Sequence, residues 1–456
     1  MHPKHRNTPF KGHNIKRIMR KTAIAAILIV ASLKVSAQQS GTNSPYSMYG
    51  FGLLSEQSNG QGRGMSGLSY GLREHNQVNY MNPASYSSID SLSFIFDAGL
   101  SGQITNFKEG GKKVNAKNAD FDYVIAGFRM FKHFGASFGL LPFSNVGYSF
   151  SNTSIVSKPT DTDPTTANTT YNGNGGTHQA YIGAGWEPIK GLSLGANISY
   201  IWGDIDQTMS LSYSDSYVNT VARYYTAKVK SYKLDFGVQY SKNITKEDMI
   251  TVGATFTPGH KMKANAKVYS ISTNTQTGIA DSTILPKKGQ GLDYEMPATL
   301  GLGLLFNHIN KWKIGIDYNF QKWSSCEYPI FKIDNDGNQN YEESDKVFND
   351  RHKITLGSEY TPNENSRNFF KKMRYRFGGF YATNYIKING ENGPKEYGLS
   401  AGLGIPIINT YNNRSTLNIS AQWICRDASS FIKENTFLIN IGLVFNERWF
   451  AKWKVE

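Results

Sequence analysis

The amino-acid sequence predicts an all-β fold: a 14-stranded antiparallel transmembrane β-barrel with an N-terminal plug segment. Three observations predict it: long runs of alternating apolar and polar residues, connections that alternate between short and long, and an unusual composition. Charged residues make up 18% of the 456 residues, against about 25% in ordinary soluble proteins. Aromatic residues make up 13%. These values argue against a chain of two or three soluble domains.

Residues 1–37 have the pattern of a secretory signal peptide. They carry many basic and no acidic side chains, an apolar run over residues 23–31, and small residues at 35–37. The apolar run is too short to span a bilayer, and Met19 is an alternative start for the same signal. Cleavage would remove more than half of the net charge of +14, so we expect no nucleic-acid partner.

Period-two alternation predicts fourteen strands in the mature chain. Trp312, Ile314 and Ile316, for example, alternate with polar or small residues. Successive side chains of a strand face opposite ways, so each strand has one apolar face and one polar or small face. The predicted strands start near Ser91, Phe121, Gly135, Thr177, Leu192, Tyr225, Met249, Tyr294, Lys311, Phe348, Met373, Glu396, Thr416 and Thr436. We expect the barrel to span residues 91–446.

The connections between the predicted strands alternate in length. The short ones cover residues 132–134, 187–191 and 307–310, and the long polar ones cover 152–176, 205–224, 271–291 and 332–346. Short turns at one end and long loops at the other are typical of outer-membrane barrels, as is an even strand number. We therefore expect a multi-pass barrel in the outer membrane of a Gram-negative bacterium, with the lipid bilayer as its surroundings.

Two segments flank the predicted barrel. Residues 38–90 are rich in Gly, Ser, Asn and Tyr, which favours a plug in the lumen that hydrogen-bonds to inward polar side chains such as Asn197, Asp317, Asn319 and Gln321. The alternative is a disordered periplasmic tail. Residues 447–456 mix Trp and Lys, which predicts a periplasmic C-terminal tail suited to a membrane interface or to a partner.

Four short motifs resemble the FadL-type family of outer-membrane transport barrels. They are Asn82-Pro83-Ala84 before the first strand, the run at 139–143, Trp186-Glu187-Pro188, and the run at 296–301. The resemblance implies fourteen strands, a lumen plugged by the N-terminal segment, and a side opening through which hydrophobic substrates leave into the bilayer. The C-terminal tail departs from the family, whose members end at the last strand.

A proline inside the predicted third strand marks a candidate lateral gate. Pro142 donates no ladder hydrogen bond and is rarely accepted in a central strand. A break there would open the barrel wall, as the resemblance implies. The gate residues are Leu141, Pro142, Phe143, Ser144 and Asn145. The alternative is a local bulge in a closed wall.

Motifs for other chemistry are weak. The spacing Gly62-x-Gly64-x-x-Gly67 matches a dinucleotide motif, but no strand precedes it and no helix follows it. Residues 334–338 have an Asp-rich turn in which the Gly is misplaced for a calcium loop. No nucleophile elbow or metal-ligand spacing is present, so we expect no enzyme activity, no metal and no cofactor.

Two functions follow from this sequence. The first is an outer-membrane channel for passive uptake of hydrophobic, fatty-acid-like or aromatic molecules, with a hydrophobic ligand in the lumen and lateral exit through the wall. Its external capture loop would carry Leu211, Tyr213, Tyr217, Val218, Tyr224 and Tyr225. The second is a non-transporting barrel that acts as a structural or accessory subunit of an outer-membrane assembly or surface complex, with outer-membrane protein partners.

Overall fold

A computed structural model describes residues 41–156, 164–286, 291–388, 390–407, 415–428 and 431–448. The predicted signal peptide with Met19, the segment before residue 41 and the tail from residue 449 lie outside these ranges. No helix in the described ranges is both long and apolar enough to cross a membrane.

The described residues form fourteen antiparallel barrel strands. They are β1 (Ser93–Glu109), β2 (Lys112–Phe131), β3 (Phe134–Ile155), β4 (Thr166–Ile189), β5 (Leu192–Tyr213), β6 (Thr220–Asn243), β7 (Asp248–Thr257 and His260–Thr273), β8 (Ala280–Leu285, Leu292–Met296 and Thr299–His308), β9 (Trp312–Gln321), β10 (Arg351–Tyr360), β11 (Arg374–Ala382), β12 (Lys395–Ile407), β13 (Ser415–Asp427) and β14 (Lys433–Arg448). The first and last strands pair from Ser93–Arg448 to Lys108–Lys433. The barrel is therefore closed, and the predicted fold class is confirmed.

The strands present apolar side chains outward and small or polar side chains inward. On β1, Phe96, Leu100 and Ile104 are exposed on the outer face, while Asp97 and Thr105 are buried on the inner face. Exposed apolar side chains in such regular order are expected where lipid is the solvent. The alternation of apolar and polar residues in the sequence therefore reflects a wall with one apolar outer face and one polar inner face.

Several strands extend further than the sequence predicts. β2 begins at Lys112 instead of Phe121, and β4 begins at Thr166 instead of Thr177. Most of the predicted loops 152–176 and 205–224 belong to β3–β6. The predicted starts of β2 and β4 are wrong because the added rows are mostly polar and lack the regular apolar alternation that marks a lipid-facing strand. On β5, by contrast, Met209, Leu211 and Tyr213 alternate with polar residues.

The predicted loop 332–346 also contains regular structure. A hairpin of Tyr328–Ile333 and Gln339–Ser344 stands at the same end of the barrel as the long connections. We refer to this end as the long-loop end, and to the opposite end, with turns such as 190–191, as the short-turn end.

One seam in the wall lacks a continuous ladder. β2 and β3 pair from Phe131–Phe134 to Val124–Leu140, and no further pair joins them among the described residues. Beyond this point, residues 112–123 of β2 still pair with β1, and residues 141–155 of β3 still pair with β4. We call the gap between these two stretches the seam; it runs from mid-barrel to the long-loop end.

Candidate functional site: the lumen and its N-terminal segment

Residues 41–90, called the N-terminal segment below, lie against the inner faces of the strands. The segment has little regular structure: the 3-10 helices Pro45–Met48 and Pro83–Ser88, the two-residue strand Leu53–Leu54 and the four-residue helix Gly60–Arg63. Most of its side chains are buried, although its composition is polar, so its polar groups need partners inside the barrel.

The Asn82-Pro83-Ala84 motif provides some of these contacts at the short-turn half. The Asn82 side chain accepts a hydrogen bond from the Ala84 backbone amide at 3.2 Å and so caps the helix that begins at Pro83. Its amide nitrogen donates to the carbonyl of Tyr70 at 3.0 Å and to that of Val238 on β6 at 3.2 Å. One side chain therefore ties together two parts of the segment and one strand.

Inward glycines let the segment approach the wall closely. A Cβ atom on Gly195 would lie 2.3 Å from the carbonyl carbon of Pro83, and one on Gly253 would lie 2.0 Å from the carbonyl oxygen of Tyr70. Both contacts are with backbone, which has little freedom to move away. The glycines at these inward positions are therefore required by the fit between wall and segment.

Within the described ranges, four ion pairs join the segment to the wall. Each pairs one side chain of the segment with one of a strand or strand end: Glu56 with Lys353 at 2.7 Å, Arg63 with Asp122 at 3.1 Å, Arg73 with Glu187 at 3.1 Å, and Glu74 with Lys313. Lys313 also lies 3.2 Å from Glu359, which in turn lies 2.7 Å from Arg376. Side chains of these residues are largely buried, so removing one partner would leave an unpaired charge in the interior.

Most of the inward polar side chains that were predicted to hydrogen-bond to the N-terminal segment do contact it. Asp317 accepts hydrogen bonds from the backbone amides of Ser69 and Tyr70 at 2.6 and 2.9 Å. Asn197 donates to the Tyr80 carbonyl at 3.0 Å, and Asn319 donates to the Tyr70 hydroxyl at 2.7 Å. Gln321 is different, because its side chain accepts from the Trp323 indole at 2.9 Å.

Aromatic side chains fill the long-loop half of the lumen. The Phe51 ring lies 5.2 Å from Trp323 and 5.1 Å from Tyr294, and the Trp323 ring lies 4.4 Å from Tyr385. Tyr328 and Tyr385 donate to the carbonyls of Gly50 and Gly52 at 2.8 and 2.6 Å. A cavity of about 180 Å³ lies beside this cluster, next to Tyr225, Tyr328 and Tyr341.

A larger cavity of about 280 Å³ lies between the two halves. Its lining is rich in charged side chains, among them Glu56, Lys233, Asp235, Arg351, Lys353, Glu396, Arg426 and Glu434. An apolar solute placed there would remove water from these groups without replacing its hydrogen bonds. The charged part of the lining is therefore suited to water or polar groups, whereas apolar side chains such as Phe143, Trp323 and Phe380 line the rest of the cavity.

The segment covers part of the seam. Leu53 and Leu54 pair with Asn145 and Ser144 as a short antiparallel strand on the free edge of β3. Gln57 donates to the Pro142 carbonyl at 2.8 Å. Across the seam, the Asn145 side chain donates to the Asp120 carboxylate of β2 at 2.9 Å.

The five candidate gate residues all lie at this edge. Leu141 is buried against the segment, Pro142 pairs with His178 of β4, and the register shifts between Pro142 and Ser144, which leaves Phe143 as a bulge. The structure contains a feature of each interpretation of Pro142. The bulge at Phe143 corresponds to the closed-wall alternative, and the end of the β2–β3 ladder beside it corresponds to the gate hypothesis. Whether the site conducts a solute stays a prediction.

The predicted capture loop is in fact mostly strand. Leu211 and Tyr213 lie on β5, and Tyr224 and Tyr225 lie on β6; only Tyr217 and Val218 occupy the turn between them. Tyr225 borders the aromatic cavity, whereas the Tyr217 side chain is 82% exposed. The sequence-based prediction did not include the aromatic residues that fill this half, Trp323, Tyr328, Phe348 and Tyr385. The signal that could have identified them was the presence of large aromatic side chains in otherwise polar connections between strands.

Other candidate chemistry has little support. Among the described residues, no three His, Cys, Asp or Glu side chains group as metal ligands would. Cys326 and Cys425 are buried, free thiols. In the Asp-rich turn, the Asn338 side chain and backbone donate to Asp334 and lower the pKa of that carboxyl, as an ordinary Asx turn does.

The fold matches solved outer-membrane transport barrels at low sequence identity. The Pseudomonas putida toluene transporter TodX is 13% identical, with a TM-score of 0.56 over 87% of this chain and 100% of that chain. The Ralstonia pickettii toluene transporter TbuX is 15% identical, with a TM-score of 0.55 over 86% and 99%. A Pseudomonas aeruginosa FadL homologue is 12% identical, with a TM-score of 0.54 over 86% and 98%. The protein therefore has the fold of the FadL-type barrels.

The sequence itself gives a more specific assignment. The family model described as BamG matches residues 18–456, so the chain belongs to the BamG family. No curated protein matches the chain.

Proposed function

We propose that this protein is a barrel subunit of an outer-membrane assembly or surface complex and that it does not conduct solutes along its lumen. The observation that carries the proposal is the set of ion pairs and close glycine contacts that hold residues 56–90 inside the lumen, in the short-turn half and beside the central cavity. In this account the N-terminal segment is a permanent plug, and the barrel is a rigid membrane anchor for contacts made at its ends.

The chemistry of the interior supports this choice over uptake of hydrophobic molecules. The cavity of about 280 Å³ between the two halves is lined in part by carboxylate, ammonium and guanidinium groups, which an apolar solute would desolvate at a cost of several kcal/mol. Membership of the BamG family, which is named apart from the transport barrels, points the same way. The outer membrane is the compartment that a signal peptide and short turns at one end favour.

Isolation from native membranes tests the proposal. The tagged full-length chain is extracted from outer membranes in a mild detergent, and its companions are identified and counted by mass spectrometry. We expect at least one protein partner in stoichiometric amount. An isolated barrel without partners, from cells in which deletion abolishes uptake of a hydrophobic solute, would overturn the proposal. A tagged unrelated outer-membrane barrel from the same cells is the control for chance copurification.

Uptake of a hydrophobic molecule with lateral exit remains the second candidate, because two observations favour it. The β2–β3 ladder ends beside Pro142, and an aromatic cavity of about 180 Å³ lies at the long-loop half. Asp120 and Asn145 face each other across the seam at 2.9 Å, so a double Cys variant joined by a short bismaleimide would lock it. Loss of toluene accumulation in cells after locking, but not in the single variants, would favour transport.

A further inference from the structure

The outer face of five neighbouring strands carries an ordered series of side chains near the long-loop end. The strands are β12, β13, β14, β1 and β2, which pair in that order. An apolar row at the level of Ile104 contains Leu399, Trp423, Phe437 and Ile104 on β12, β13, β14 and β1, which are opposite one another and exposed. On β2 the residue at this level is Lys117. On the other four strands, this row marks the level at which the wall faces the hydrocarbon.

Four residues further along the strands, the same face carries lysines. Lys108 lies directly opposite Lys433 on one side and Lys113 on the other, and Lys395 pairs with Asp427. We call Lys395, Asp427, Lys433, Lys108 and Lys113 the lysine row. Residues four apart on a strand share a face, so the lysine row lies on the same side of the wall as the apolar row. The level between them contains amides, namely Asn435, Asn106 and Asn115.

The lysine row has more positive than negative charge. Lys433 forms an ion pair with Asp427 at 2.5 Å. Among the residues that the structure describes, Lys108, Lys113 and Lys395 have no such partner. Like charges directly opposite one another destabilise a sheet, so a negatively charged group beside the row would stabilise it.

The height of the row indicates where such a group would come from. Four residues of strand span roughly 13 Å, which a barrel tilt of about 40° reduces to about 10 Å along the membrane normal. The polar region of a leaflet is roughly 5–8 Å thick, and a lysine side chain reaches back toward it. The ammonium groups are therefore level with lipid headgroups.

We propose that the lysine row binds the phosphate groups of the glycolipid in the outer leaflet, the bisphosphorylated lipid A moiety of lipopolysaccharide. The inference rests on the placement in the outer membrane given under the proposed function, but not on the subunit role. Ammonium groups bind phosphate as point charges, and the apolar row below them would contact the acyl chains of the same lipid. One lipid would thus use both rows.

The test compares two triple variants of the full-length protein. Lys108→Gln, Lys113→Gln and Lys395→Gln remove three lysines and leave the Lys433–Asp427 pair intact. The control, Lys132→Gln, Lys190→Gln and Lys246→Gln, removes the same charge from exposed positions at the short-turn end. Heat-dependent migration in gels verifies that each barrel is folded.

Binding of bisphosphorylated lipid A to the detergent-purified proteins is measured by native mass spectrometry and by titration. We expect the first variant to bind at least tenfold more weakly than wild type and the control to bind like wild type. Equal weakening in both variants, or none in the first, overturns the proposal. Competition by millimolar inorganic phosphate as effective as that by lipid A would assign the row to free anions and overturn the lipid assignment. Copurification of protein partners is a separate measurement, so the two proposals fail independently.

Discussion

The short-turn half of the lumen is filled by polar chain held through ion pairs, whereas the long-loop half is filled by aromatic rings around Phe51. In the short-turn half, Glu74 forms a buried ion pair with Lys313, and inward glycines let the backbone of the strands contact the backbone of the N-terminal segment. In the long-loop half, contacts are mainly between rings, with tyrosine hydroxyls bonded to backbone carbonyls.

This difference shows where the barrel could open and where it could not. Ion pairs in a low-dielectric interior are costly to break singly, because each leaves a buried charge behind. Contacts between aromatic rings leave no unpaired charge when they separate, and each is worth about 0.5–1.5 kcal/mol beyond the area it buries. We therefore expect the short-turn half to stay closed and any local opening to occur in the aromatic half.

The largest expected effect comes from filling the space between wall and segment. Gly195→Val together with Gly253→Val places side chains within about 2.3 Å of backbone atoms of Pro83 and Tyr70, so the segment must leave its site. We expect wild-type protein to be closed in planar bilayers and the variant to conduct. Gly102→Val is the matched control, because its Cβ has nothing within 4 Å. A closed double variant would contradict the close fit.

A smaller effect is expected from breaking the buried ion pairs. Lys313→Met leaves Glu74 and Glu359 without their shared cation, which typically costs about 3–5 kcal/mol. Urea unfolding of the purified barrel in detergent measures the loss. Lys332→Met serves as the comparison, since the Lys332–Glu342 pair is about half exposed and should contribute roughly 0–1 kcal/mol. Similar losses in both variants would refute the distinction.

In the aromatic half, Phe51→Leu should cost roughly 1–2 kcal/mol and act locally. Phe51 is fully buried among Tyr294, Trp323 and Tyr328. We expect faster hydrogen exchange in residues 45–54 with unchanged exchange in residues 60–88. Phe131→Leu, at a side chain 68% exposed on the outer wall, should change neither. Exchange that rises over the whole segment would show that the two halves open together.

The smallest effect concerns pH at the tip of the hairpin in the long-loop end. Hydrogen bonds from Asn338 lower the pKa of Asp334. The stabilisation is therefore present above the ordinary Asp pKa of about 3.9 and is lost as the pH falls through the lower folded value. Protease nicking of the turn should rise only in that acid range. Asp334→Asn should abolish the acid-dependent part, and a step near pH 7 would contradict the assignment.

Much of the barrel wall was predictable from the sequence, because every second residue of a membrane-spanning strand faces lipid and is therefore apolar. The strand number was correct, and the barrel strands run from Ser93 to Arg448 in the structure. The predicted starts of β2 and β4 were wrong, because these strands continue beyond the lipid-facing region, where outward side chains need not be apolar.

The site was predictable only in part. The role of Asn197, Asp317 and Asn319 as partners of the segment followed from their inward phase on predicted strands. The ion pairs did not follow, since Glu74 and Lys313 are 239 positions apart. Which charge meets which depends on the path of an irregular chain, and periodicity carries no information about that path.

The most direct test of the central claim is the composition of the particle that the protein forms in its own membrane. Native mass spectrometry of the complex released from outer membranes gives its protein and small-molecule content together. The account predicts the barrel with a stoichiometric protein partner, and the same particle after the seam is locked between residues 120 and 145. A lone barrel that holds an apolar small molecule, and releases it only while the seam is free, would contradict it.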